Sequence, residues 1–250
     1  MCVAFIRTLT FALTLFPALA IAQIGVAFPG PGMPALTSTP FSITNTDTGT
    51  DNTAGNTITF TSKSIGTPDA SRKIIVAIGE RTATVFATSV TVDGISAASV
   101  SNSVTLASNN ASEIWVATVG TDSGHTTGNI VITYSAGPAR LGIGVYSMLG
   151  QNAGPNAAHF TTSGTNPATA TVTVPSGGAA VGAGASQAAG QTTATAGPSG
   201  FATDASLVPA ANTVIGVAHS AAGALTGSQN LTMQWNIAGT QALSVVAYGP

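Results

Sequence analysis

Short apolar runs that alternate residue by residue, each closed off by Gly, Pro, Asn or Asp, leave this chain little to fold into except β-sheet. Ile130, Ile132 and Tyr134 fall on one side of an extended chain, with Val131 and Thr133 on the other. That period of two is the mark of a half-buried strand. Residues 58–60, 74–78, 90–92, 114–119 and 141–146 are further β-prone runs, separated by turn pairs such as Asp93-Gly94, Asn109-Asn110 and Gly137-Pro138. Beyond the N-terminal segment, no stretch sustains a 3.6-residue apolar period with capping signals. The Ala-rich stretch 177–189 carries interspersed glycines. Each would cost about 1 kcal/mol in a helix interior, which argues against a helix there.

The second half repeats the first at a spacing of about one hundred residues. Ile130-Val-Ile-Thr-Tyr134, Gly137 and Tyr146 find counterparts in Leu231-Thr-Met-Gln-Trp235, Gly239 and Tyr248. Residues 115–119 match 214–218, 57–60 match 171–174, and 74–78 match 179–183 more loosely. Six or seven strands per repeat cannot lie as one flat sheet, because both faces would need cover. Two antiparallel sheets packed about 10 Å apart provide it. The expected fold is therefore all-β: an antiparallel two-sheet β-sandwich, jelly-roll-like, with an internal duplication. The sandwich spans 57–250, with repeat halves at about 57–150 and 157–250. Each half could be a sandwich of its own, or both could contribute to one. The short junction 150–156 and the Ala/Gly-rich second half favour one.

Charge is scarce: six basic and eight acidic residues in 250, or 6%, with a net charge of −2. An average domain is about 25% charged. Hydroxyl and amide groups must therefore solvate the exposed faces, unless neighbouring subunits cover them. Arg7, Lys63, Arg72, Lys73, Arg81 and Arg140 form no run longer than two, so no nucleic-acid partner is expected. A single cysteine, Cys2, excludes an intrachain disulfide.

Residues 1–22 read as a secretory signal peptide, with Arg7 before an apolar core and Ala20-Ile21-Ala22 before Gln23. The alternative is a retained apolar anchor, though the stretch is too short for a stable membrane span. Residues 23–56, rich in Pro and Gly and then in Thr, Asn and Asp, read as an extended arm or linker, able to donate a strand to a neighbour. An extracellular or virion location follows as the expectation.

No constellation is arranged for chemistry. His125, His159 and His219 lack metal-ligand spacing. His125 reads as a loop residue and His219 as a strand edge. Gly184-Ala-Ser186-Gln-Ala188 lacks the second glycine of a nucleophile elbow. Of the carboxylates, Asp69 reads as a loop partner of Arg72 and Asp93 as a turn residue. Glycoside cleavage would need two facing across a cleft. Asn45, Asp47, Gly49 and Asp51 lack the EF-hand glycine and glutamate. Trp115, Tyr134, Tyr146, Trp235 and Tyr248 read as core rather than as a sugar platform. The expectation is no catalytic, cofactor-binding or metal-binding residue, no cofactor and no enzyme activity.

The stretches 68–78, 89–97, 113–117, 128–134 and 141–146 together resemble a β-sandwich module of uncharacterised proteins encoded by phages and prophages of alphaproteobacteria. The resemblance covers about residues 57–249 and implies a tail, fibre or head-decoration component. The signal-like N-terminus departs from it. The expected function is a structural, self-associating subunit of a virion appendage or decoration, or of an extracellular filament or surface layer. The alternative is a secreted or virion-borne module that binds cell-surface glycans.

Overall fold

A computed structural model describes residues 39–81, 86–100, 105–107, 109–120, 124–138, 140–163 and 165–250. The expected signal at 1–22 and residues 23–38 of the expected arm lie outside these residues. The first half supplies β1 (Ser42–Asp51), β2 (Thr57–Ser64), β3 (Lys73–Arg81), β4 (Ala87–Val92), β5 (Ile95–Ser96), β6 (Ala98–Ser99), β7 (Thr105–Ala107), β8 (Asn110–Thr118), β9 (Thr127–Tyr134) and β10 (Arg140–Leu149). The second supplies β11 (Ala153–Ser163), β12 (Ala168–Val174), β13 (Ala179–Gln187), β14 (Ala194–Gly197), β15 (Ala202–Ala210), β16 (Thr213–His219), β17 (Gly227–Trp235) and β18 (Thr240–Gly249). The runs read from the sequence fall on β2, β3, β4, β8, β9 and β10, and the Ala-rich stretch becomes β13.

Each half folds into two antiparallel sheets. In the first half an inner sheet runs β1-β10-β3-β8-β6, with β7 also on β8, and an outer sheet runs β2-β9-β4-β5. Leaving out β6 and β7, strands one, eight, three and six form the inner sheet, and two, seven, four and five the outer. That is the double Greek key of a jelly roll. The second half repeats it: β11-β18-β13-β16-β15 inside and β12-β17-β14 outside. Only the fifth strand differs, since β15 has moved to the edge of the inner sheet. The duplication holds strand by strand, but the register moves two of the expected residue matches: Ile75 rather than Ile74 answers Ala179, and Ile58, opposite Ile132, answers Ala168, opposite Met233, rather than Val172. Tyr146 lies opposite Ile75 and Tyr248 opposite Ala179. For β8 and β16 the strands correspond but the residues shift. Ile78 faces Glu113 where Gly182 faces Ala218, so Ala218 is the counterpart of Glu113 and not of Val119.

Each half is thus its own sandwich, in place of the single one favoured above, and the two inner sheets share a third core. Ile74, Val76, Ile78, Trp115, Ile130 and Ile143 pack within the first sandwich. Ala180, Phe201, Leu231, Met233, Trp235 and Val245 pack within the second. Ile75, Ala77, Ile114 and Tyr146 meet Val181, Ala183, Ile215 and Val217 between them. The order of layers is outer, inner, inner, outer. Both faces of the inner sheets are covered, so β3, β10, β13, β16 and β18 are buried almost end to end. The outer strands β2, β9 and β12 alternate. A thin Ala/Gly half is enough because its inner sheet is sandwiched twice. Small residues let the layers close: a Cβ on Gly79 would lie 2.5 Å from Ile215 Cγ2, and one on Gly216 2.1 Å from Met233 Sδ.

Residues 42–51, expected within the arm, are an edge strand of this chain's own sheet, paired along β10. The Thr, Asn and Asp residues there read locally like a linker, but the strand is hydrogen-bonded beside the apolar β10. Arg72, expected in a loop pair with Asp69, is fully buried. Its guanidinium donates to the carbonyls of Gly66 and His125 at 2.9 Å and of Gly120 at 3.2 Å. A planar fork of donors closes three chain segments at once.

Candidate functional site

Two clusters bring ionisable side chains together at buried or partly buried positions. The first lies inside the first sandwich. The alternation that points Ile74, Val76 and Ile78 inward also points Glu80 inward, and Glu113 and Trp115 on β8 face the same core. Both carboxyls are fully buried. Glu113 accepts from the Ala87 amide at 2.8 Å and from Trp115 Nε1 at 2.7 Å. Glu113 and Tyr134 act on Glu80 from nearby, yet both Glu80 oxygens and the Tyr134 hydroxyl stand without a hydrogen-bond partner at bonding geometry. Burial and then the Glu113 charge push Glu80 well above the usual carboxylate range. Burial pushes Glu113 to about 7, against the pull of Ala87 and Trp115. The pair therefore holds at least one proton near neutrality. Neither carboxyl exposes surface to a substrate, so what the arrangement does is store protons in the core.

The second cluster bridges the two sandwiches. Tyr146 on β10 donates to Asp204 Oδ2 at 2.9 Å, and His219 Nδ1 lies 2.7 Å from Asp204 Oδ1. The Tyr146 and His219 rings are 5.7 Å apart. Burial, then the adjacent carboxylate, push the Tyr146 hydroxyl well above the usual tyrosine value. Asp204 sits at a bulge of β15, between Thr203 and Ala205. The shift of β15 to the inner sheet is what brings it to Tyr146.

The other residues weighed from sequence serve local structure. His125 Nδ1 meets Asp93 Oδ2 at 2.8 Å on the surface. His159 is exposed on β11. Ser186, the last residue but one of β13, is fully buried and accepts from Gln191 at 2.8 Å, and the unbroken pairing through Gln187 leaves it on a regular strand rather than on the exposed sharp turn of a nucleophile elbow. Asp47 accepts from the amides of Thr48 and Ser64 at 2.7 and 2.9 Å and from Lys63 at 3.3 Å. Burial opposes its charge, but these donors together hold it below the usual carboxylate range. Asp51 caps the Thr53 amide at 2.8 Å. Trp115, Tyr134, Tyr146, Trp235 and Tyr248 are all buried. Among the described residues, no three His, Cys, Asp or Glu side chains gather as metal ligands, and no helix is long and apolar enough to cross a membrane.

Sequence reading missed both clusters. Glu80 was legible in principle, as the next inward position after Ile74, Val76 and Ile78. Asp204 was not, because a bulge and a relocated strand place it. What the fold defines is a class: a duplicated antiparallel jelly roll stacked through its inner sheets. Comparison with protein-family models, with curated proteins and with solved structures finds no match.

Proposed function

We propose that the protein is a non-enzymatic structural subunit that joins further copies of itself through the open edge of β12. Its setting would be a virion appendage or decoration, or an extracellular filament or surface layer. The observation that carries this reading is the contrast among sheet edges. Unpaired edges invite another strand, and proteins blunt them with bulges, charges, prolines or brevity. β1 is bulged after Asn45 and carries Asp47 and Asp51. β2 is bulged before Lys63. β11 is bulged around Pro155, and β15 twice, once beside Pro209. β14, β5, β6 and β7 are four residues or shorter. β12 has none of these devices. It keeps unbroken register with β17 over seven residues, and is uncharged and free of proline.

The weak net charge leaves little repulsion between identical copies. Only Val208 and Ile237 are exposed large hydrophobics among the described residues, so strand pairing supports association better than an apolar patch does. For the glycan-binding alternative, the five aromatics weighed as a possible platform, Trp115, Tyr134, Tyr146, Trp235 and Tyr248, lie inside the core, and no observation favours it. Electron microscopy and light scattering of the purified full chain test the proposal. Wild type should form multimers or ordered arrays. Thr171→Lys, at an exposed β12 position, should be monomeric with an unchanged melting temperature. A wild type that stays monomeric at every concentration, or a variant that assembles equally well, overturns it.

A further inference from the structure

Two arginines stand side by side on the first inner sheet. Arg81 ends β3, Arg140 begins β10, and the two are directly paired across the strands. Paired residues of an antiparallel ladder share a face, with Cβ atoms about 5 Å apart. Gly79 and Gly142, two residues inward along each strand, show which face it is. A Cβ on Gly79 would meet Ile215, and one on Gly142 would meet Ile215 and Leu207. Both arginines therefore leave the sheet on the side of the second sandwich, at the end of the shared core.

Like charges placed directly opposite cost stability unless an anion answers them. None of the described carboxylates does so. Asp51, on the strand beside β10, pairs with Leu141 and so belongs to the opposite face, where it accepts from Thr53. Glu80 and Glu113 lie buried in the first sandwich. Asp47, Asp69, Asp93 and Asp204 are engaged by Lys63, Ser71, His125 and His219. The other described cations are satisfied: Lys63 by Asp47, Arg72 by backbone carbonyls, Lys73 by the Gln151 side chain. Arg81 and Arg140 have no side-chain hydrogen bond or ion pair among the described residues. Burial, then the Arg140 charge, lower the proton affinity of Arg81. Both residues are only partly buried, so a solute can reach them.

We propose that the Arg81–Arg140 pair binds a phosphate group, as the free ion or as a phosphate monoester. Two guanidinium forks offer paired N–H donors to the oxygens of a tetrahedral anion. Two positive charges match a dianion, where a carboxylate would leave one unanswered. The site is independent of assembly through β12, and either can fail without the other.

Titration calorimetry of the full chain at fixed ionic strength tests it, with inorganic phosphate, phenyl phosphate and acetate. Phosphate should bind saturably, and acetate about tenfold more weakly. Arg81→Gln and Arg140→Gln should each weaken phosphate binding about tenfold, while Lys73→Gln leaves it unchanged. Arg140→Lys keeps the charge without the fork and should fall between wild type and Arg140→Gln. Phenyl phosphate binding as tightly as phosphate would assign the site to a larger phosphorylated ligand, and weaker binding would assign it to the free ion; both uphold the site. Melting gives a second readout. Without phosphate, Arg140→Gln relieves repulsion and should melt no lower than wild type, and added phosphate should raise the wild type alone. Absence of saturable phosphate binding, equal binding of acetate, or full affinity in either glutamine variant would each overturn the proposal.

Discussion

Glu80 and Glu113 show what so few charges are used for. A carboxyl buried beside another carboxyl is stable only when protonated, so the folded protein binds more protons here than the unfolded chain. The resulting stability is fully present below the ordinary glutamate value of 4.5 and is lost as the pH rises through about 7, where Glu113 ionises in the fold. At the acid end the sign reverses. Asp47, accepting from Ser64, Thr48 and Lys63, is held below 3.8, so its contribution is present above that pH and lost below it. Stability should therefore peak in mildly acidic solution and fall toward pH 8. Glu80→Gln keeps the shape without the proton. It should match wild type near pH 5 and exceed it at pH 8, by on the order of 2 kcal/mol in urea unfolding. Wild-type stability that stays level or rises from pH 5 to 8 would contradict the shared-proton reading. The sister sandwich shows that this position can be apolar: Gly184 takes the place of Glu80, with Trp235 packed over it at 3.1 Å from a Cβ built there.

At the scale of strands, the sequence carried existence and type better than surroundings. Alternation found β2 and β9 because one face of each outer sheet meets water. The runs 74–78 and 179–183 do not alternate, since their strands are covered on both sides, and a continuous apolar run is how that condition is written. The single-sandwich expectation weighed the Ala/Gly content of the second half as a weak core. In the structure that content is what allows two inner sheets and an outer one to approach. Gly216→Val tests the point. A side chain there collides with Met233 Sδ and Ala194 Cβ, and overpacking of this kind costs about 1–3 kcal/mol. Urea unfolding should show that loss, and a variant as stable as wild type would contradict the close approach. Residues 42–51 misled for a different reason. An edge strand with polar side chains has the composition of a linker, and only its pairing with β10 distinguishes it.

For the molecule as a whole, four layers leave the apolar surface spent internally. Ser112 and Ser244 hydroxyls meet at 2.9 Å across the inner sheets, and Asn110 donates to the Thr240 carbonyl at 3.1 Å. The two halves are joined by polar register as well as by packing. The outer faces present threonine, serine and asparagine, which explains how a chain with 6% charge is wetted without a partner over every surface. Under the proposed assembly, neighbours need to cover only the β12 edge. Hydrogen–deuterium exchange on wild-type protein, concentrated and then diluted, reads that edge directly. The account predicts that the outward amides of β12 become protected at high concentration while those of the blunted edges β1 and β15 do not change. Exchange in β12 that is fast and independent of concentration would contradict it.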